Sequence, residues 1–147
     1  AGQGHSYIES ALRILEVEAE GIDALTAAIR DGLGQPFIAA LDLIRGAKGR
    51  VIVTGMGKSG HVARKIAATL ASTGAPAQFV HPGEASHGDL GMIVPGDAVL
   101  ALSNSGETRE LADLVDHARR RGIPASAIRR LAATVFFEVT TLTKCNV

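Results

Sequence analysis

Tryptophan is absent, tyrosine occurs once, phenylalanine four times, and aromatic residues make up only 3% of the 147 positions. A core of this chain must therefore be aliphatic. The single cysteine, Cys145, excludes an internal disulfide, and no Cys or His spacing around it resembles a zinc site, which points to a reducing, cytoplasmic setting. Net charge is also missing: 15 Lys and Arg balance 15 Asp and Glu, with pI near 7.2. That balance removes the general electrostatic case for nucleic acid or an anionic membrane and leaves a small molecule as the expected partner. No run approaches the roughly 18 apolar residues of a membrane-spanning helix, and the N-terminus lacks the basic start and apolar stretch of a signal peptide. What is present is a globular composition, 46% hydrophobic and 20% charged, which excludes disorder. The length suits one domain, residues 1–147, burying roughly 70% of the surface its unfolded chain exposes. Seventeen glycines without a Gly-X-Y period suggest loops built from backbone.

The first third reads as a helical segment, residues 6–46. Ile8, Leu12, Leu15, Ala19, Ile22, Leu25 and Ile29 recur at gaps of three or four, predicting an amphipathic helix from Ser6 to Asp31 with a Ser6/Glu9 capping box. Gly32 and Gly34 stop it, and Pro36 opens a second helix carrying Phe37, Leu41 and Ile44, closed by Gly46 and Gly49. From Arg50 onward the pattern changes to strand, loop, helix. Val51–Val53 is a β-branched run before a glycine cluster and a helix over 60–72. Ala77–Val80 reads as a further strand, followed by a loop over His81–Gly91 that is too polar for the core. A second unit starts with Ala98–Leu102, turns at Ser103–Gly106, and ends its helix at Arg119–Arg121 before Gly122. Alternating strands and helices imply an α/β fold with a parallel sheet, whose ligands gather at the carboxyl ends of the strands.

Three segments fall at that edge. Gly55-Met56-Gly57-Lys58-Ser59-Gly60 matches G-x-G-x-x-G in the strand-to-helix context of a dinucleotide fingerprint, but no ribose-binding acid follows about 20 residues on, where Gln78 to His81 stand. A P-loop reading of Gly57-Lys58-Ser59 fails because position 52 is isoleucine. What remains is a loop whose backbone can approach an anion at a helix N-terminus, where Lys58 is unfavourable without an anionic partner. Ser103-Asn104-Ser105-Gly106-Glu107-Thr108 gathers three hydroxyls that can ligate a phosphate, or, more plainly, cap a helix. A second anion-competent loop at one sheet edge favours phosphate. In the third segment His81, Glu84, His87 and Asp89 lack the regular helical spacing of a metal site, and general acid or base work by His87 is the stronger reading.

GMGKSGHVARKIAATLASTG, FVHPGEASHGDLGMI and LALSNSGET together resemble the arabinose-5-phosphate isomerases, whose catalytic module is a sugar isomerase (SIS) domain. The resemblance runs from about Ser6 to Pro124. It implies a three-layer SIS fold preceded by N-terminal helices, and interconversion of D-arabinose 5-phosphate with D-ribulose 5-phosphate for synthesis of 3-deoxy-D-manno-octulosonate in lipopolysaccharide. It also implies cytoplasmic, typically tetrameric proteins that need no organic cofactor, while metal binding by His81 or His87 stays open. Carried over by motif, Ser103, Ser105 and Thr108 hold the substrate phosphate with Gly57, Ser59 and Asn104 beside it, while Lys58, His87 and Glu107 fall on active-site positions. After Pro124 the sequence departs from the family pattern of strand, helix and further strand. Residues 125–147 read as an atypical tail that leaves the C-terminal end of the fold incomplete, with a candidate strand over Thr134–Val139 and Glu138 as its only carboxylate. The family's downstream catalytic glutamate and histidine have no counterpart there. That absence keeps a non-catalytic phosphosugar-binding SIS module open as the alternative.

Overall fold

The computed structural model describes the backbone of residues 2–104, 109–130 and 137–141, and the side chains of 6–104 and 109–128. Helix α1 spans Gly2–Ala28 and α2 spans Gly34–Gly46. Ser6 therefore lies inside α1, because the helix starts four residues earlier than the capping signal implies. The break between the helices is local: Asp31 (φ −122°, ψ 87°) and Gly32 (φ 94°) leave helical geometry, a turn that glycine makes without a Cβ penalty. Gly34 then begins α2 and does not stop α1, with Pro36 in the first turn.

The remainder alternates as expected: β1 (Val51–Gly55), α3 (Gly57–Ser72), β2 (Ala77–Val80), α4 (Pro82–Ser86), a 3₁₀ turn at Asp89–Met92, β3 (Ala98–Ser103), α5 (Arg109–Arg120), β4 (Ala125–Arg130) and β5 (Phe137–Thr141). The sheet order is β2-β1-β3-β4-β5, with the first four strands parallel and β5 antiparallel at the edge. Two expectations change. His81–Gly91 is not an open polar loop: α4 forms within it and buries Pro82 and Ala85. Residues 125–130, expected to open an atypical tail, form β4, which pairs Val99↔Ala125 through Ser103↔Arg129 with β3. Its small side chains at Ala125 and Ser126 are buried. β5 overlaps the candidate strand near Thr134–Val139.

Strand alternation sorts the core into two layers. Val51, Val53, Leu100 and Leu102 face α3 through Ala63 and Ala67, with Ile44 of α2 packed alongside. Ile52, Val99 and Ala125 face α4 and α5 through Ala85, Leu114 and Ala118. Helices thus cover both faces of a mostly parallel sheet, the architecture such a sheet requires. By contrast α1 leaves Ile8, Leu12, Leu15 and Ile22 between 53% and 66% exposed. No helix among the described residues is long and apolar enough to cross a membrane.

The amino-terminal edge of the sheet is fastened by one carboxylate. Asp97 is buried, accepts from the Arg50 backbone N–H at 2.8 Å and from that of Val94 at 3.1 Å, and lies 3.5 Å from the Arg50 guanidinium. Arg50 also donates to Gln78 at 2.8 Å and to the Met92 carbonyl at 2.7 Å, so β1, β2, β3 and the segment between β2 and β3 meet at one point. Asp97→Ala leaves two backbone donors without their acceptor and is expected to cost about 2–4 kcal/mol, read as a lower urea midpoint; a loss under about 1 kcal/mol contradicts this fastening role. At the opposite edge, Gly60 lies so close to β1 that a Cβ there would stand 2.7 Å from the Gly55 carbonyl oxygen. Gly60→Ala is expected to destabilise by about 1–3 kcal/mol in the same measurement, because backbone has to move.

Candidate functional site

Strand order locates the site. β1 and β3 are neighbours, yet the chain leaves β1 through α3 on one face and leaves β3 through α5 on the other. Between two such strands the chain diverges above the sheet, and the crevice at their carboxyl ends is where ligands bind in open α/β sheets. Register puts the two loops side by side there, since Gly55 pairs with Leu102, directly before Ser103.

The loop after β1 is shaped by close approach. A Cβ on Gly55 would meet the Leu102 carbonyl oxygen and the backbone of Ser59 at 3.0 Å. Gly57 adopts φ 53°, in the left-handed region that favours glycine. Met56 is the N-cap of α3 and offers no side-chain cap, so the first amides of α3 are left to solvent or to an anion. Lys58 is exposed and Ser59 half-buried in this turn, and Thr54 at the end of β1 carries the one buried side-chain polar atom without a partner among the described residues. On the second loop, Ser103 is half-buried at the tip of β3 and Asn104 is exposed. Ser105, Glu107 and Thr108 lie outside the described residues. α5 follows with Glu110 half-buried in its first turn, a carboxylate at the same sheet edge that motif reading passes over.

The histidine segment rises from the end of β2. His81 is the N-cap of α4 and His87 its C-cap. The His81 Nδ1 accepts from the Gly83 backbone N–H at 3.2 Å, a role marked in sequence only by the proline that follows it. His87 is exposed, and Ser86 next to it hydrogen-bonds Asp113 of α5 at 3.1 Å. The structure thus places Gly57, Lys58, Ser59, Ser103 and Asn104 at the switch point and ties the His87 turn to the helix that follows the second loop. Among the described residues no group of three or more His, Cys, Asp and Glu side chains is gathered closely enough to hold a metal ion. The end of β2, where a nucleotide-binding fold holds its ribose with an acid, carries Val80 and His81.

Comparison with known proteins agrees with this geometry. The SIS domain family pattern matches residues 43–134. An arabinose 5-phosphate isomerase of Pseudomonas aeruginosa is 54% identical over 121 residues, 82% of this chain and 36% of that protein. One of Salmonella typhi is 46% identical over 125 residues, 85% of this chain and 37% of that protein. The chain therefore spans little more than a third of the length of these curated relatives. A solved Escherichia coli protein in complex with arabinose 5-phosphate superposes with a TM-score of 0.77 at 35% identity, covering 88% of this chain and 67% of that one. With the pattern spanning the four parallel strands and both loops at their carboxyl ends, the chain belongs to the SIS domain family, among the relatives of the arabinose 5-phosphate isomerases.

Proposed function

We propose that this chain binds a pentose 5-phosphate at the β1/β3 switch point and is the catalytic module of an isomerase interconverting D-arabinose 5-phosphate and D-ribulose 5-phosphate, supplying lipopolysaccharide sugar synthesis in the cytoplasm. The observation that carries the reading is the juxtaposition of an uncapped helix start bearing Lys58 with the hydroxyl loop that begins at Ser103. Ser103, Ser105 and Thr108 take the phosphate, with Ser59, Asn104 and the Gly57 backbone beside them. Such a site needs no basic side chain on the phosphate itself.

Isomerisation moves a proton from C2 of the aldose to C1 through an enediol(ate), while negative charge develops on the sugar oxygen. Lys58 stabilises that oxygen, His87 assists ring opening or carries protons between oxygens, and Glu107 moves the carbon-bound proton. Glu110, in the described first turn of α5, is the second carboxylate to test in that role. No metal or organic cofactor enters the scheme.

Calorimetry and a coupled assay test the reading, with ribose 5-phosphate and glucosamine 6-phosphate as controls. Ser105→Ala is expected to weaken arabinose 5-phosphate binding about tenfold or more, as removal of a hydrogen bond to a charged acceptor does, with the fold intact. Lys58→Ala is expected to lower kcat by about 10²- to 10³-fold with a smaller change in KM. Unchanged affinity in the first variant removes the phosphate assignment. Binding by the unmodified chain without any turnover supports a phosphosugar-binding module in place of an enzyme.

We also infer assembly into a homo-oligomer, of tetramer size by the family resemblance, through the aliphatic stripe that α1 leaves exposed. Light scattering at tens of micromolar is expected to show more than a monomer, and Leu12→Lys combined with Leu15→Lys to reduce the mass. A monomer in the unmodified chain contradicts the inference.

A further inference from the structure

Helix α4 has five residues, far fewer than the length at which a helix is stable alone. Its shape has to come from its two ends and its packing. Pro82 and Ala85 are buried against the core, and Pro82 at the first helical position has no N–H to satisfy. The first amide that needs a partner is that of Gly83, and His81 supplies it through Nδ1 at 3.2 Å. At the far end the single Ser86 hydroxyl proton has two acceptors in reach, the Pro82 carbonyl at 3.2 Å and the Asp113 carboxylate at 3.1 Å, and the His87 amide donates to the Glu84 carbonyl at 3.0 Å.

Serine, threonine, asparagine or aspartate are the usual caps, so a histidine here calls for a reason. To accept this hydrogen bond the ring presents Nδ1 without a proton, which makes Nε2 the nitrogen that carries one. The ring also reaches where a shorter cap does not. It meets Phe79 edge-on, with centroids 6.4 Å apart and planes at 67°. Over the Phe79 ring sits the Arg64 guanidinium, 4.0 Å from the centroid, and a Cβ on Gly60 would stand 3.8 Å from the tip of that ring. Both Arg64 and Gly60 belong to α3, the helix that starts at Gly57 and Lys58. One continuous set of contacts therefore runs from the Lys58 helix through Phe79 and His81 into α4 and on to His87.

We propose that His81 is a positioning residue: by capping α4 while packing on Phe79, it holds the turn that presents His87 at a fixed place relative to the loop bearing Lys58. The proposal rests on the reading above that His87 takes part in the isomerisation. The substrate phosphate lies elsewhere, on the loops after β1 and β3, so His81 acts on the rate of the chemical step and little on binding.

The test compares kcat and KM for arabinose 5-phosphate in the full chain and in His81→Ala, His81→Asn, His81→Gln, His87→Asn and the double variant His81→Ala/His87→Asn. His81→Ala is expected to lower kcat about tenfold at nearly constant KM, the scale of a misplaced catalytic group. His81→Asn, whose side-chain oxygen accepts the same N–H but does not reach Phe79, recovers part of the rate, and His81→Gln, a poor cap, does not. Once His87 is replaced, removing His81 as well costs little more, because positions that act as a unit are not additive. If the alanine variant fails to fold, the Asn and Gln pair decides. Equal rates for that pair, wild-type turnover in His81→Ala, or additive losses in the double variant overturn the proposal while His87→Asn remains slow. Wild-type turnover in His87→Asn overturns the proposal together with the role given to His87 above.

Discussion

The parallel pairing of β1 with β3, from Val51↔Ala98 to Gly55↔Leu102, is the constraint on which the other parts of the molecule depend. Both strands are buried on both faces up to their carboxyl ends, so each is apolar over most of its length and each has to be covered twice. The chain meets this by sending α3 to one face and α5 to the other, and that divergence opens the crevice between the loops. The same pairing explains Gly55, where a Cβ would crowd the Leu102 carbonyl of the neighbouring strand at 3.0 Å. At the opposite edge Asp97 and Arg50 hold the strand starts in register with few atoms. Site and scaffold are thus consequences of one ladder of hydrogen bonds.

Division of labour follows from where each segment leaves the sheet. The loop after β1 is short and directly continuous with its strand, and Ser103 and Asn104 stand directly at the end of β3. The histidine turn leaves from β2, at the sheet edge, and has room for a five-residue helix before the chain returns to start β3. Arg50 holds the return of that segment by its bond to the Met92 carbonyl, and Ser86 with Asp113 holds its middle. Such a segment combines an exposed side chain, His87, with a buried anchor, Ala85.

Much of this architecture is legible in the sequence where local signals and tertiary demands coincide. Val51–Val53 and Ala98–Leu102 are apolar because central strands must be, and Arg119 to Gly122 end α5 as a helix end requires, with Gly122 at φ 64°. β4 is hidden because Ala-Ser-Ala-Ile-Arg-Arg has no β-branched run; its strand character comes from pairing with β3. α4 is hidden because polar residues and a glycine outnumber the two side chains it buries. At the site, the motifs place Lys58, Ser59 and Ser103 at the correct sheet edge, since strand-to-helix turns of a parallel sheet all open there. Glu110 and the capping role of His81 escape motif reading: the first belongs to a helix turn beyond the SNSGET segment, and the second depends on a ring nitrogen whose partner only the folded turn supplies.

Exposure of α1 carries a spectroscopic consequence. Tyr7 is the only tyrosine, tryptophan is absent, and the tyrosine ring is 72% exposed on that helix. Near-ultraviolet emission excited through tyrosine therefore arises from a point outside the sheet and its two layers. It is silent to loosening of the aliphatic core, so a chain with its layers melted and its first helix still formed would look native by fluorescence.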